Sequence, residues 1–433
     1  MLDALLDRKG ALSRQIGQAK RSNLSIDDLL IEMKQVSQQI KALQADEISE
    51  ASPLKPSAKE LKHISAEAPS LFSASFTQCE MLNSDIVIHH ATEADVRLWD
   101  EYVHSKSNSS IYHLWEFKSI IESSFGHECR YLMALDKQND RVVGVIPAVE
   151  MNSRLFGHFI VSQPFFTYGS VLADSDVVEQ ALYEYLIDFA QANHIGHIEF
   201  RGSKASSVLD GVLLAKETKV SMVRALPETS DILWDDIGTK VRAQIKKSQR
   251  YPLSMKFGKA ELLNDFYRVF SENMRDLGTP VYSKRFFSNL INSELSHSFT
   301  IGVVYHEGMP AAACFLMSHN AMMEIPWAST LKSMNSMNVN MYMYWEVLSH
   351  SIRTKHAFFD FGRSSKDAGT YRFKKQWGAK PFQLYWKYWL PENESMPELN
   401  PNNPKYKLMI QVWQKLPVWL TQIIGPPVVK YLP

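Results

Sequence analysis

Phe359-Asp-Phe-Gly-Arg-Ser-Ser-Lys-Asp-Ala-Gly-Thr-Tyr-Arg-Phe-Lys-Lys-Gln-Trp-Gly378 is the densest stretch of chemistry in this chain. An apolar run ends at Phe361, which reads as the end of a strand, and a glycine-containing loop follows. The pattern predicts a helix from Tyr371, capped by Thr370 and closed by Gly378. Arg372, Lys374 and Lys375 then crowd the first turn of that helix, where cations oppose the helix dipole at a cost of roughly 0.3–1 kcal/mol each. A bound anion would relieve the crowding, held by free backbone N–H groups and the cations, with Arg363 joining from the loop. The competing reading is a solvated basic helix end.

Outward from this stretch, the chain shows a coarse repeat. Asp85-Ile-Val-Ile-His89 reads as a strand and 93–105 as a helix. Tyr131–Leu135 and Val142–Pro147 read as paired strands about Asn139-Asp140. A helix at 177–192 and the strand Ile198-Glu199-Phe200 complete the first unit. The second has a helix near 259–276, a hairpin of 298–305 and 311–316 about Glu307-Gly308, a helix at 338–354 and the strand Ala357–Phe361. Two mixed units in tandem imply a duplicated α+β fold. Expected domains are 85–228 and 229–392, with a docking tail at 393–433.

The N-terminal 1–45 read as a helical hairpin. Leu29, Met33, Val36, Ile40 and Leu43 keep a coiled-coil seam, and Leu5, Leu12, Ile16 and Ala19 follow it less completely. Residues 46–84 lack sustained periodicity and read as a linker.

Composition bounds the function. With 433 residues the chain is too long for one ordinary core. Lys plus Arg and Asp plus Glu both number 47, so any grip on nucleic acid or anionic membrane must come from local patches. Three scattered cysteines suggest neither a disulfide framework nor a zinc site. Charges interrupt the N-terminal apolar run, and no stretch of about 18 apolar residues occurs. The expected setting is cytoplasmic, with the inner face of the membrane as a variant.

Other segments carry weaker signals. Lys240–Arg250 is a basic amphipathic helix, either an ordinary surface helix or a grip on phosphates. Gln163-Pro-Phe-Phe-Thr-Tyr-Gly169 lines a pocket or fills a core. The tail, with Trp413, Trp419 and Ile423 beside Lys405, Lys407 and Lys415, rests on a membrane surface or docks on its own domain, ending at Gly425-Pro426-Pro427.

The run Phe359–Gly378, with Asn273-Met-Arg-Asp-Leu-Gly-Thr-Pro-Val-Tyr282 and Phe165–Gly169, resembles the Fem-related acyltransferases. The subgroup it most resembles is associated with exopolysaccharide and exosortase (PEP-CTERM) clusters. The resemblance spans about residues 86–425. It implies two acetyltransferase-like (GNAT-like) domains with a cleft between them. It implies transfer of an aminoacyl or acyl group onto an amine of a cell-envelope or exopolysaccharide precursor, nucleotide- or lipid-linked. Phe373 and Lys374 match the family's Phe-Lys pair, implied to stabilise the oxyanion and contact the end of a charged tRNA. Arg363, Arg372, Lys375 and Tyr371 are then expected at the donor. Tyr168, Tyr282, Glu324 and Trp327 are expected in the substrate pocket. Asp360 and Glu324 are candidates to take the amine's proton. No metal and no permanently bound cofactor are expected; aminoacyl-tRNA or acyl-CoA is the co-substrate. Arg8–Arg21 looks like the tRNA-binding arm of seryl-tRNA synthetases, the alternative being a homodimerising coiled coil. Arg275-Asp-Leu-Gly278-Thr-Pro280 approaches the acetyl-CoA loop pattern but breaks its final position and follows a helix, so acetyl-CoA is not supported there. Two rivals remain: an acyl-CoA-dependent N-acetyltransferase, and a non-catalytic scaffold in polysaccharide export.

Overall fold

The computed structural model describes residues 86–396 apart from 155, 367, 393 and 395, together with 404–432, 68–72 and scattered positions between 8 and 36. Side chains of the tail are described from Leu408 onward. The chain divides into two units, 1–65 and 66–433. In the first, the described positions are helical, Leu12 and Val36 are buried, and Arg8 pairs with Glu32 at 2.6 Å. The rest of the expected hairpin, and most of the expected linker, lie outside the described residues.

The second unit is a mixed α+β structure. Its largest sheet has seven strands. Edge to edge they are Leu253–Gly258, Phe299–His306, Met309–His319, Met322–Thr330, Phe358–Ser365, Lys219–Ala225 and Lys380–Gln383. The hairpin predicted about Glu307-Gly308 is present. Both residues are left-handed, at φ 51° and 79°, as a tight two-residue hairpin turn requires. Met309–His319 shows how the sequence builds the centre of this sheet. Its alternate residues Ala313, Phe315 and Met317 join one core, and Ala312, Cys314 and Leu316 join another. Both faces are covered, so the strand is apolar from Met309 to Met317 and does not alternate with polar residues there. Leu263–Leu277 and Lys284–Asn292 supply the first cover with Phe266, Phe270, Phe286 and Phe287. Val339–Arg353 supplies the second with Val347 and Leu348.

The N-terminal half has a four-stranded and a six-stranded sheet. Each half contains one parallel strand pair. In the first, Ile160 and Val161 face Ile198 and Glu199. In the second, Glu324 faces Asp360. Two strands cross the expected cut at 228/229. Lys219–Ala225 lies in the seven-stranded sheet of the second half. Tyr385–Trp389 lies in the first half's sheet, between Ile198–Gly202 and Leu214–Lys216. The first core runs through both halves, from Trp99 and Tyr112 to Phe286 and Phe315.

Three local expectations are corrected. The helix after Phe359–Ser365 spans Gly369–Gln376 with Ala368 as its N-cap, so it starts two residues before Tyr371 and Thr370 lies inside it. With eight residues, it places Lys374 and Lys375 in its last turn, where cations favour the dipole. The crowding argument for an anion at its N-terminus therefore falls. The tail helix Val418–Val429 continues through Gly425, Pro426 and Pro427. Gly425 presses so closely on Val281 that an added Cβ would lie 2.9 Å from its backbone nitrogen. That packing holds the helix together across two residues that cannot donate to its ladder. Finally, Ser70–Phe72, inside the stretch read as linker, forms a short helical turn; Leu71 is buried, and the Phe72 ring stacks on Phe382 at 4.7 Å.

Candidate active site

A cavity of ≈ 310 Å³ opens between the two halves. That is enough for a small ligand or the reactive end of a large one. The first half contributes Tyr112, Phe165, Phe166, Thr167 and Arg201; the second contributes Tyr282, Glu324, Trp327, Arg363 and Lys374. Three cations and one acid thus face a wall of aromatic rings.

Each charged group is placed by its strand or helix. Asp360 and Glu324 are neighbours across the parallel strand pair, and both are buried. Asp360 accepts hydrogen bonds from Tyr168 Oη, from Ser221 Oγ at 2.7 Å and from the Gly362 amide at 2.7 Å. Glu324 accepts one, from Tyr112 Oη at 2.7 Å. Burial raises the pKa of both carboxyls above the usual range; the charge of Asp360 raises Glu324 further, to about 8, while the hydrogen bonds to Asp360 and the charge of Lys374 work against its rise. With three donors to one, Asp360 is the better anion, and Glu324 takes the first proton.

Lys374 is buried on the inner face of its short helix. Its ammonium donates to the carbonyls of Gly362 at 2.9 Å and Arg363 at 3.0 Å. A third N–H remains for the cavity, since an ammonium has three donors. Burial is the largest influence on this group and brings its pKa down to about 8; Asp360 and Glu324 act against it. Gly362, at φ 78°, bends the strand midway, where its register with Lys219–Ala225 shifts, and its carbonyl and that of Arg363 both meet the lysine.

Arg363 and Arg201 lie against one ring: their guanidinium carbons are 4.6 and 4.5 Å from the centroid of Trp386. Arg201 is pinned by Glu199 at 2.6 Å and by the Phe166 carbonyl at 2.6 Å. Arg363 keeps an exposed edge, while burial of its base and the charge of Arg201 press its pKa down.

The loop 163–169 is bent to serve this wall. Gln163 and Phe165 are left-handed, at φ 61° and 74°. Gly169 sits at φ 134°, where a Cβ would come within 2.5 Å of the Gln163 side chain, so only glycine fits. Strained backbone of this kind clusters at functional sites.

The residues predicted from the sequence divide cleanly. Lys374, Arg363, Tyr282, Glu324 and Trp327 line the cavity. Asp360 and Tyr168 stand behind it, joined by their hydrogen bond. Arg372 and Lys375 are exposed on the outer side of their helix. Tyr371 and Phe373 pack against the second core, with the Phe373 ring 5.1 Å from Tyr344. Arg372 N donates to Ala368 O at 3.1 Å, so the Phe373 amide falls beyond the free first turn. Lys240, Lys247 and Arg250 are exposed while Val241 and Ile245 are buried, the pattern of an ordinary surface helix. Arg275 is engaged by Asp276 at 2.6 Å and by the Leu416 carbonyl at 3.1 Å, and Gly278 caps a helix.

Arg201, Tyr112 and Trp386 were not singled out by sequence. A signal for Arg201 exists. Ile198-Glu-Phe-Arg-Gly-Ser-Lys204 parallels Phe359-Asp-Phe-Gly-Arg-Ser-Ser-Lys366, with arginine and glycine exchanged. The two stretches occupy equivalent parallel strands, and both arginines reach Trp386.

Comparisons with known proteins bear on the fold. Residues 238–375 match the family model described as acetyltransferase (GNAT) domain. The structure of FemX aligns with 75% of this chain and 100% of its own, at 13% identity and a TM-score of 0.55. L-PGS from Bacillus licheniformis aligns with 78% of this chain and 98% of its own, at 11% identity and a TM-score of 0.48. A tandem GNAT protein from the clavulanic acid biosynthesis pathway aligns with 72% of this chain and 100% of its own, at 9% identity and a TM-score of 0.47. No curated protein sequence matches the chain. The fold is thus a tandem of GNAT-like domains, as expected.

Proposed function

We propose that this protein is an N-acyltransferase that moves an aminoacyl or acyl group onto an amine of a cell-envelope or exopolysaccharide precursor. One observation carries the reading: Lys374, Arg363 and Arg201 converge with the buried acid Glu324 on one cavity. Acyl transfer asks for that set. Arg363, with its exposed edge, holds the phosphates of the donor's carrier, and Arg201 backs it across Trp386. The amine nitrogen attacks the donor carbonyl carbon and forms the C–N bond, and charge gathers on the carbonyl oxygen. The ammonium of Lys374, fixed by two backbone carbonyls, stabilises that charge without having to reorganise. Glu324, raised to about 8 by burial and by Asp360, ionises as pH approaches that value, and its carboxylate then takes the amine's proton. The bond from carbonyl carbon to the carrier's oxygen or sulfur breaks, and the proton passes from Glu324 to that leaving atom.

Between the two donors we favour aminoacyl-tRNA; Arg275, in a segment that approaches the acetyl-CoA loop pattern, is already engaged by Asp276 and the Leu416 carbonyl. The N-terminal hairpin, with Arg14, Lys20 and Arg21, is the element assigned to the tRNA. A lipid-linked acceptor would put the work at the cytoplasmic face of a membrane.

The test supplies the purified protein with a charged tRNA or with acetyl-CoA, each with an amine acceptor, and follows the labelled acyl group by mass spectrometry. Transfer from the tRNA, lost in Lys374→Ala, supports the proposal. Transfer from acetyl-CoA alone moves the donor to the rival class. Undiminished transfer by Lys374→Ala removes the lysine from the mechanism.

A further inference from the structure

The tail helices carry a surface that the cavity chemistry does not use. Pro404–Trp413 and Val418–Val429 lie along Leu263–Leu277. Gln414 Nε2 donates to Asp276 O at 3.0 Å, and Gln422 Nε2 donates to Ser271 Oγ at 2.8 Å. Their inner sides are therefore fixed. Their outer sides are apolar: Leu408, Met409 and Val412 are 62%, 65% and 53% exposed, and Trp419 and Ile423 are 61% and 62% exposed. The spacings i, i+1, i+4 and i, i+4 put each group on one helical face. Leu277, 60% exposed at the end of the supporting helix, extends the patch. Large exposed side chains gathered in this way mark an interaction surface.

Charge says which partner. Residues 404–433 contain Lys405, Lys407, Lys415 and Lys430 and no acidic residue at all, in a chain whose net charge is zero. Apolar side chains including tryptophan, in a segment whose only charges are lysines and with Lys415 exposed between the two helices, match the boundary of an anionic bilayer: the rings and methyls enter the headgroup region and lysine meets lipid phosphate. No helix among the described residues is long and apolar enough to span a bilayer, so the contact is peripheral.

The surface is one layer from the cavity. Gly425 packs on Val281, whose neighbour Tyr282 lines the cavity. Met274, on the supporting helix, lines it too. Lys430 O accepts from His127 Nε2, and the His127 ring stacks on Phe165 of the cavity wall at 6.2 Å. We infer that the exposed face of Pro404–Trp413 and Val418–Val429 docks the protein on an anionic phospholipid bilayer and holds the cavity beside the membrane surface.

The docking can be tested without turnover, so its failure is distinct from failure of the transferase reading. The full-length protein is sedimented with vesicles of phosphatidylglycerol and phosphatidylcholine in equal parts, and separately with vesicles of phosphatidylcholine alone. Binding is expected to the first and not to the second, and to fall as salt rises. Trp419→Glu with Ile423→Glu should lower the partition by about a hundredfold. Lys415→Gln should lower it about fivefold. Both changes are on exposed side chains, and unaltered circular dichroism and melting would confirm the fold. Equal binding to both vesicle types, or binding unchanged in the double variant, overturns the proposal. So does concentration-dependent self-association that the same double variant abolishes, because the face would then meet a second copy of this chain.

Discussion

Glu199 and Asp360 occupy matching places in the two halves, and their surroundings have opposite characters. Glu199 lies on a parallel strand opposite Val161, and Arg201 two residues on closes against it at 2.6 Å. Tyr388 Oη donates to its other oxygen at 2.8 Å. Every lone pair of consequence is met, and the pairing holds its pKa below the usual carboxylate range despite burial. Asp360 lies opposite a second acid, Glu324, and two residues on it has Gly362 in place of an arginine. Its cation, Lys374, arrives from a helix and bonds to backbone carbonyls instead of to either carboxylate. One cluster is saturated and structural. The other is left with competing charges and shifted proton affinities, which is the condition for chemistry.

The sharpest way to break this contrast is to open the saturated side. Arg201→Ala leaves Glu199 buried and unpaired, and should cost about 3–5 kcal/mol in urea unfolding. A small loss would mean the two clusters are not different in kind. On the reactive side, Lys374→Ala should slow transfer about a thousandfold, equivalent to about 4 kcal/mol of barrier, with a much smaller change in melting temperature. Glu324→Gln keeps an acceptor for Tyr112 and removes the base, so the rate should fall by about 10²-fold or more while urea unfolding stays nearly constant. The gentlest test uses pH. The pKa of Lys374 is about 8 in the folded protein against 10.5 in the unfolded chain, so the unfolded state binds more protons between those values and stability should rise with pH across that window. Lys374→Met should flatten that slope. Lys374→Arg should carry the alkaline limb of the rate profile above its position near pH 8, because a guanidinium keeps its charge.

The contrast also shows what sequence could and could not reveal. The hairpin at Glu307-Gly308 was legible because it depends on neighbours along the chain, whereas the strand expected to end at Phe361 runs on through Gly362 to Ser365, held by its pairing with the distant Lys219–Ala225. Lys374 was legible as a cation, but its orientation was not. Moving the helix start from Tyr371 to Gly369 puts Lys374 inward and leaves Arg372 and Lys375 in solvent. The partnership of Asp360 with Tyr168 joins residues 192 positions apart, and no local periodicity encodes such a pair. Arg201 could have been found only by aligning 198–204 with 359–366, an internal likeness hidden by the exchange of arginine and glycine.

The exchange of strands between the halves has a mechanical outcome. Lys380–Gln383 runs in one sheet and Tyr385–Trp389 in the other, with Leu384 alone between them. A nearly continuous extended ribbon therefore stitches the two β-systems together beside the cavity, and Lys219–Ala225 makes a second stitch in the opposite sense. Each strand pairs within its own sheet, so the two β-systems are joined here by short covalent links, Leu384 in one place and 217–218 in the other. A cut of the chain at 228/229 would therefore take Tyr385–Trp389 from one sheet and Lys219–Ala225 from the other, so neither sequence half carries all the strands of its own sheet.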